Sequence, residues 1–183
     1  MIKGESAFVS NLQGLRLWTE RFGDPTDPVV LLVMGTSAQA IGWPDELVAT
    51  LVSGGAAGHP VRSHRDTGQS DCVDFAAAPY SLNDMAGDAL SVLDGHQAAA
   101  AHIAGASLGG AIGQYLAVHH PDRVRSLTAI MTYPMGYEAG AALAALIPGA
   151  RFQEVPGMGH GFFSPGIPAQ IARLILNHTT LQP

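Results

Sequence analysis

One heptapeptide, Ala104-Gly105-Ala106-Ser107-Leu108-Gly109-Gly110, limits the folds open to this chain more than any other stretch. The apolar run before it, residues 98–104, reads as a buried strand, and residues 109–120 read as an amphipathic helix. A strand that enters a helix through Gly105-x-Ser107-x-Gly109 turns sharply at the serine. The glycines two before and two after it lack bulk where strand and helix nearly touch. Such a turn lifts the Ser107 hydroxyl clear of the sheet and aims the next amide, that of Leu108, toward a site of developing negative charge. With 22 glycines in 183 residues the five-residue pattern alone is weak, so the rest of the chain must supply its context.

That context is an alternation of strands and helices. Residues 6–13 and 15–22 alternate like a hairpin around Gln13-Gly14, and residues 23–28 are a loop by their turn chemistry. Residues 29–34 form a continuous apolar run, the mark of a central strand. A helix is predicted over 44–53, opened by Pro44 and stopped by Gly54-Gly55. A short strand at 60–64 follows. Ser81 is a candidate N-cap for a helix over 82–94. Beyond the serine turn, strands are predicted at 124–133 and 150–155, with helices at 140–147 and 167–178. This order specifies an α/β fold with a doubly wound, mainly parallel sheet in one domain, 1–183.

Composition excludes several classes of function. Hydrophobic content of 47% against 13% charged residues suits strands buried on both faces. A formal charge of −6 with no basic cluster argues against nucleic acid. The single Cys72 has no partner for an internal disulfide, and no long apolar span or leader-like start is evident. The expectation is a soluble cytoplasmic protein with no membrane partner, cofactor or metal.

If Ser107 is a nucleophile, the sheet must deliver three more parts. A second oxyanion donor is expected in the loop after the strand beside it, and Met34-Gly35-Thr36 offers the Thr36 amide; the same residues also fit an ordinary glycine turn. A base must follow in chain order. Of eight histidines, His160 alone sits in a glycine-rich loop, 156–161, between a predicted strand and helix. A carboxylate should orient that base. Between Ser107 and His160 the acids are Asp122, Glu138 and Glu154. Asp122 belongs to the wrong edge of the sheet and Glu154 to a strand, which leaves Glu138 by elimination; it reads equally well as a solvated residue opening the next helix.

Five stretches together carry a resemblance: Met34-Gly35-Thr36, Gly42-Trp43-Pro44-Asp45-Glu46, His64-Arg65-Asp66-Thr67-Gly68-Gln69-Ser70, Gly105-Ala106-Ser107-Leu108-Gly109-Gly110 and Pro156-Gly157-Met158-Gly159-His160. In order over nearly the whole chain, they resemble the α/β-hydrolase family, and within it the aclacinomycin methylesterase group of carboxylesterases. The resemblance implies Ser107 as nucleophile, His160 as base, and the Thr36 and Leu108 positions as the oxyanion hole. It makes the Arg65-Asp66-x-Gly68 turn a structural brace. The family also inserts a helical cap after the strand matching 124–133, then a further strand delivering an aspartate. Neither is evident here, so the expected fold is a reduced α/β-hydrolase without cap and with one strand fewer. A single crossover would seat residues 150–155 beside 124–133, drawing the His160 loop about 4.8 Å toward Ser107.

The expected activity is therefore carboxylic ester hydrolysis through a Ser107 acyl-enzyme, on small or exposed esters. Trp43, Tyr133, Met135, Tyr137, Phe162 and Phe163 would line an open mouth, or else belong to the core. The apolar surface left by a missing cap would be available for a second subunit. Two other readings stand beside this one: a catalytically impaired or non-catalytic reduced domain lacking the triad acid, and a perhydrolase, thioesterase or C–C hydrolase on the same site.

Overall fold

A computed structural model of the protein describes residues 3–54, 59–63 (by backbone), 65–132, 149–156, 158, 160, 161 and 164–180. Strands β1 (Glu5–Ser10) and β2 (Arg16–Arg21) form the expected hairpin around Gly14, which takes φ +83°. Strands β3 (Val29–Val33), β4 (His59–Ser63), β5 (Ala101–Ala106) and β6 (Val124–Ile130) run parallel to one another. The sheet order is β1-β2-β4-β3-β5-β6. From β3 the chain winds outward to β4 on one side, and from β5 to β6 on the other. The winding reverses between β3 and β5, and a crevice for ligand opens at the carboxyl ends of strands at such a point.

Helices cover both faces because β3 is apolar and buried at every position and β5 is buried throughout. Val30, Leu32 and Met34 meet Ala104 and Ala106 under α1 (Asp45–Ser53) and α4 (Ile167–Thr179), with Leu47, Leu51, Ile171 and Ile175 completing that core. Val29, Leu31 and Val33 point the other way. They pack with Ile103 under α2 (Leu82–Gly95) and α3 (Leu108–His119), against Val92, Leu93, Ile112 and Leu116. The period-2 alternation of one buried strand thus feeds two cores. Ser81 caps α2 as the sequence predicts. Its hydroxyl accepts from Asp84 N, and the Asp84 carboxylate accepts from Ser81 N at 2.8 Å, a reciprocal box. No described helix is long and apolar enough to cross a membrane.

One predicted strand is absent. Residues 150–155 are described, and they pair with no strand. Their side chains are mostly exposed, Phe152 at 56%. Alternation along a segment permits a pleat, but a strand exists only when a neighbour supplies its hydrogen bonds, and the described sheet ends at β6. The predicted seating of this segment beside β6 is therefore not what the chain does. The helix predicted at 140–147 lies outside the described residues.

Candidate active site

Ser107 stands where β5 becomes α3, with φ +51° and ψ −117°. This is a backbone region that residues with a side chain rarely occupy, at a cost of about 1–3 kcal/mol. The flanking glycines explain how it is reached. A Cβ on Gly105 would lie 2.2 Å from the Gly109 carbonyl oxygen, and one on Gly109 would lie 2.0 Å from the Val33 carbonyl oxygen. Strand β5, helix α3 and the end of β3 therefore meet at backbone-to-backbone distance. The strained turn is held at its own backbone: Ser107 N donates to Ile130 O at 2.9 Å, and Gly110 N donates to Ser107 O at 2.9 Å.

The loop after β3 abuts this turn. A Cβ on Gly35 would be 3.0 Å from Ser107 Cβ and 3.6 Å from Ser107 Oγ, which places Thr36 one residue from direct contact with Ser107. Ser37 takes φ +59°, and Ala38 N returns to Gly35 O at 3.3 Å, so the loop is a tight turn. Among the described residues, neither the Thr36 nor the Leu108 amide donates a hydrogen bond. The Gly35-Thr36 loop and the first residue of α3, Leu108, thus adjoin one serine at the point where the sheet reverses its winding.

His160 lies in the segment leading to α4 and is exposed. The segment is tied down on both sides of it. Met158 N donates to Val155 O at 3.2 Å, and Ile167 N donates to Ser164 O at 3.1 Å. Val155 and Met158 also pack on the core shared by α1 and α4. Among the described residues, no hydrogen bond joins His160 to Ser107 or to a carboxylate. Glu138, Tyr133, Met135, Tyr137, Phe162 and Phe163 lie outside the described residues. Trp43 is a correction: expected at the mouth, it is 0% exposed and packs in the core with Met34 and Leu47. A large apolar ring beside the first turn of α1 gains more from burial than from standing at an opening.

The brace at Arg65 is built as its motif implies. Arg65 is 2% exposed and donates through Nε and Nη2 to the Asp88 carboxylate on α2, which also accepts from Asn11 Nδ2 at 2.6 Å. The Tyr80 ring lies 4.5 Å beneath the guanidinium. Burial by itself would lower the Arg65 pKa; hydrogen bonding and charge attraction from Asp88 outweigh it and leave the value raised. Asp66 and Gly68 both take positive φ, +55° and +61°, and Ser70 Oγ accepts from Trp18 N at 2.9 Å, fastening the turn to β2. Between this turn and the loop beyond Thr36 lies a cavity of about 120 Å³ lined by Trp18, Gln39, Ile41 and Gly68, among others. Among the described residues, no group of three or more His, Cys, Asp or Glu side chains is placed to hold a metal ion.

Sequence reasoning missed Asp88 and Thr132. Asp88 is signalled only by an acid on the apolar face of α2, two turns inside the helix. Thr132 donates through Oγ1 to Ser107 O at 2.6 Å, a contact made across 25 positions of chain that no local pattern announces.

The model of the alpha/beta hydrolase fold family matches residues 62–175, more than half of the chain. Rhodomycin D methylesterases of Streptomyces peucetius and Streptomyces sp. (strain C5) are 47% and 45% identical to it over 135 residues, 73% of this chain and 44% of theirs. The chain thus spans less than half the length of these curated relatives. Among solved structures, a predicted CIB-like hydrolase from Thermoplasma acidophilum superposes with a TM-score of 0.79 at 18% identity, over 97% of this chain and 98% of that one, a likeness of fold. The chain belongs to the α/β-hydrolase family.

Proposed function

We propose that this α/β-hydrolase chain is a carboxylic ester hydrolase working through an acyl-enzyme on Ser107. The observation that carries the reading is the strained Ser107 turn, φ +51°, with Leu108 opening α3 beside it and the Gly35-Thr36 loop packed against it. Ser107 Oγ attacks the ester carbonyl while His160 takes its proton, and the carbonyl oxygen gathers negative charge between the two amides. Collapse expels the alcohol, which receives the proton from His160. Water then attacks the acyl-enzyme with His160 again as base, releasing the acid. Glu138 is the proposed orienting acid. The methylesterase relatives support an ester as substrate, and the mechanism calls for no cofactor.

A fluorophosphonate probe tests the nucleophile. Labelling of the wild-type protein and none of Ser107→Ala is the expected result; equal labelling of both excludes Ser107. The second reading is a reduced domain without a competent triad, which the same probe separates by rate. Loss of the orienting acid costs about 10⁴-fold in kcat yet leaves residual catalysis. Slow labelling combined with p-nitrophenyl acetate turnover near background would therefore favour that second reading.

A further inference from the structure

We infer that Thr132 is a positioning residue for the oxyanion hole, acting through the carbonyl of Ser107; the inference rests on the ester-hydrolase reading above. Thr132 follows β6, and its Oγ1 donates to Ser107 O at 2.6 Å. That oxygen already accepts from Gly110 N at 2.9 Å and from Ala111 N at 3.3 Å, the ordinary bonds of a first helical turn. A carbonyl has two lone pairs, so the third and shortest bond is not needed to satisfy the atom. It instead restrains the plane of the peptide between Ser107 and Leu108. A trans peptide is planar, with its N–H directed opposite its C=O. Holding the Ser107 carbonyl toward Thr132 therefore holds the Leu108 N–H on the other side, toward the oxyanion.

Three further observations fit a strap from β6 to the Ser107 turn. Ser107 N donates to Ile130 O at 2.9 Å, so the backbone on both sides of the nucleophile is tied to the end of the same strand. Met131, between the two anchoring residues, takes φ +42°, a left-handed turn at the point where the chain must bend to present Thr132. A Cβ on Gly110 would stand 2.7 Å from Thr132 Cβ, so the second glycine of Gly109-Gly110 makes room for the threonine. That glycine lies outside the Gly105-x-Ser107-x-Gly109 pattern, and the three heavy atoms a Cβ there would meet first all belong to the Thr132 side chain.

Thr132→Val removes the hydroxyl and keeps the shape; Thr132→Ser keeps the hydroxyl. An oxyanion donor acts in the transition state, so kcat for p-nitrophenyl acetate and the fluorophosphonate labelling rate are expected to fall in Thr132→Val while KM holds. The fall corresponds to one hydrogen bond, roughly 3- to 10-fold, and Thr132→Ser restores the rate. Hydrogen exchange of the Gly110 and Ala111 amides, which share the Ser107 carbonyl, is expected to quicken in Thr132→Val and reads the strap without reference to chemistry. Wild-type exchange and labelling in Thr132→Val overturn the inference. So does a Thr132→Ser variant as slow as Thr132→Val, which would assign the effect to packing against Gly110. A wild-type protein that never labels sinks the nucleophile reading instead, and the exchange experiment still decides whether the strap exists.

Discussion

Replacing Gly109 with alanine tests the close approach on which the serine turn depends. The new Cβ would stand 2.0 Å from Val33 O, 2.6 Å from Val33 C and 2.9 Å from Met34 O, all backbone atoms of the central sheet. An ordinary carbon–oxygen contact is about 3.3 Å or more, so α3 must retreat from β3 by more than about 1 Å. The retreat would drag Ile112 and Leu116, 2% and 0% exposed, out of register with Leu31 and Val33. Overpacking in cores costs about 1–3 kcal/mol, and a clash with backbone cannot be relieved by a rotamer change, so about 3 kcal/mol or more is expected. In a chain of this size that lowers Tm by about 6–12 °C. The control is Gly87→Ala on α2, where an added Cβ has nothing within 4 Å. There alanine only improves helix propensity, raising stability by about 0.5–1 kcal/mol. Calorimetry or urea unfolding of the two variants reads the contrast. If Gly109→Ala and Gly87→Ala shift stability in the same direction by similar amounts, β3 and α3 do not meet as closely as argued.

Asp88→Ala leaves the Arg65 guanidinium, 2% exposed, without its principal acceptor, and a buried charge stripped of its partner costs about 3–5 kcal/mol, measurable as a lowered urea midpoint. His102 on β5 hydrogen-bonds Ser126 at 2.9 Å, and burial, with Arg125 and His178 nearby, holds its pKa down at about 4 against 6.5 free. The folded chain therefore refuses a proton that the unfolded chain accepts. Stability is unaffected above pH 6.5 and falls by about 1.4 kcal/mol per pH unit between 6.5 and 4 from this group. His102→Asn is expected to flatten that slope in denaturant titrations, and an unchanged slope refutes the assignment. Glu138→Gln should reduce p-nitrophenyl acetate turnover by several orders of magnitude if Glu138 orients His160; an unchanged rate removes it from the mechanism.

Much of the frame was legible because it is locally encoded. β3 announces itself as five consecutive aliphatic residues, Val29–Val33, and all five are buried. Ser81 declares the start of α2 as an N-cap residue ahead of an apolar-periodic run, a signal local to a few residues, and its hydroxyl does accept from Asp84 N. The glycines at 105 and 109 announced a close strand–helix approach, and each proves to have no room for a side chain. Where reading failed, the missing information was non-local. Residues 150–155 have the alternation of a strand and no ladder partner among the described strands. Trp43 follows the candidate oxyanion loop closely enough in sequence to suggest a mouth residue, yet the packing of α1 and α4 takes it into the core.

The sequence by itself determined the order of elements as far as β6 and the steric demands of the turn at Ser107. Those properties depend on neighbours within a few residues: apolar periodicity, capping and the absence of Cβ atoms. Only the tertiary structure decided that Gly35 lies against Ser107, that Asp88 neutralises Arg65, and that Thr132 reaches the Ser107 carbonyl. Each of these joins segments 23 to 72 residues apart; the two at Ser107 are brought together by pairing β3 and β6 on either side of β5, and Arg65 meets Asp88 where the turn after β4 packs on α2. A side chain's type states what it can bond; which atom it meets depends on the register of strands that the local chain does not contain.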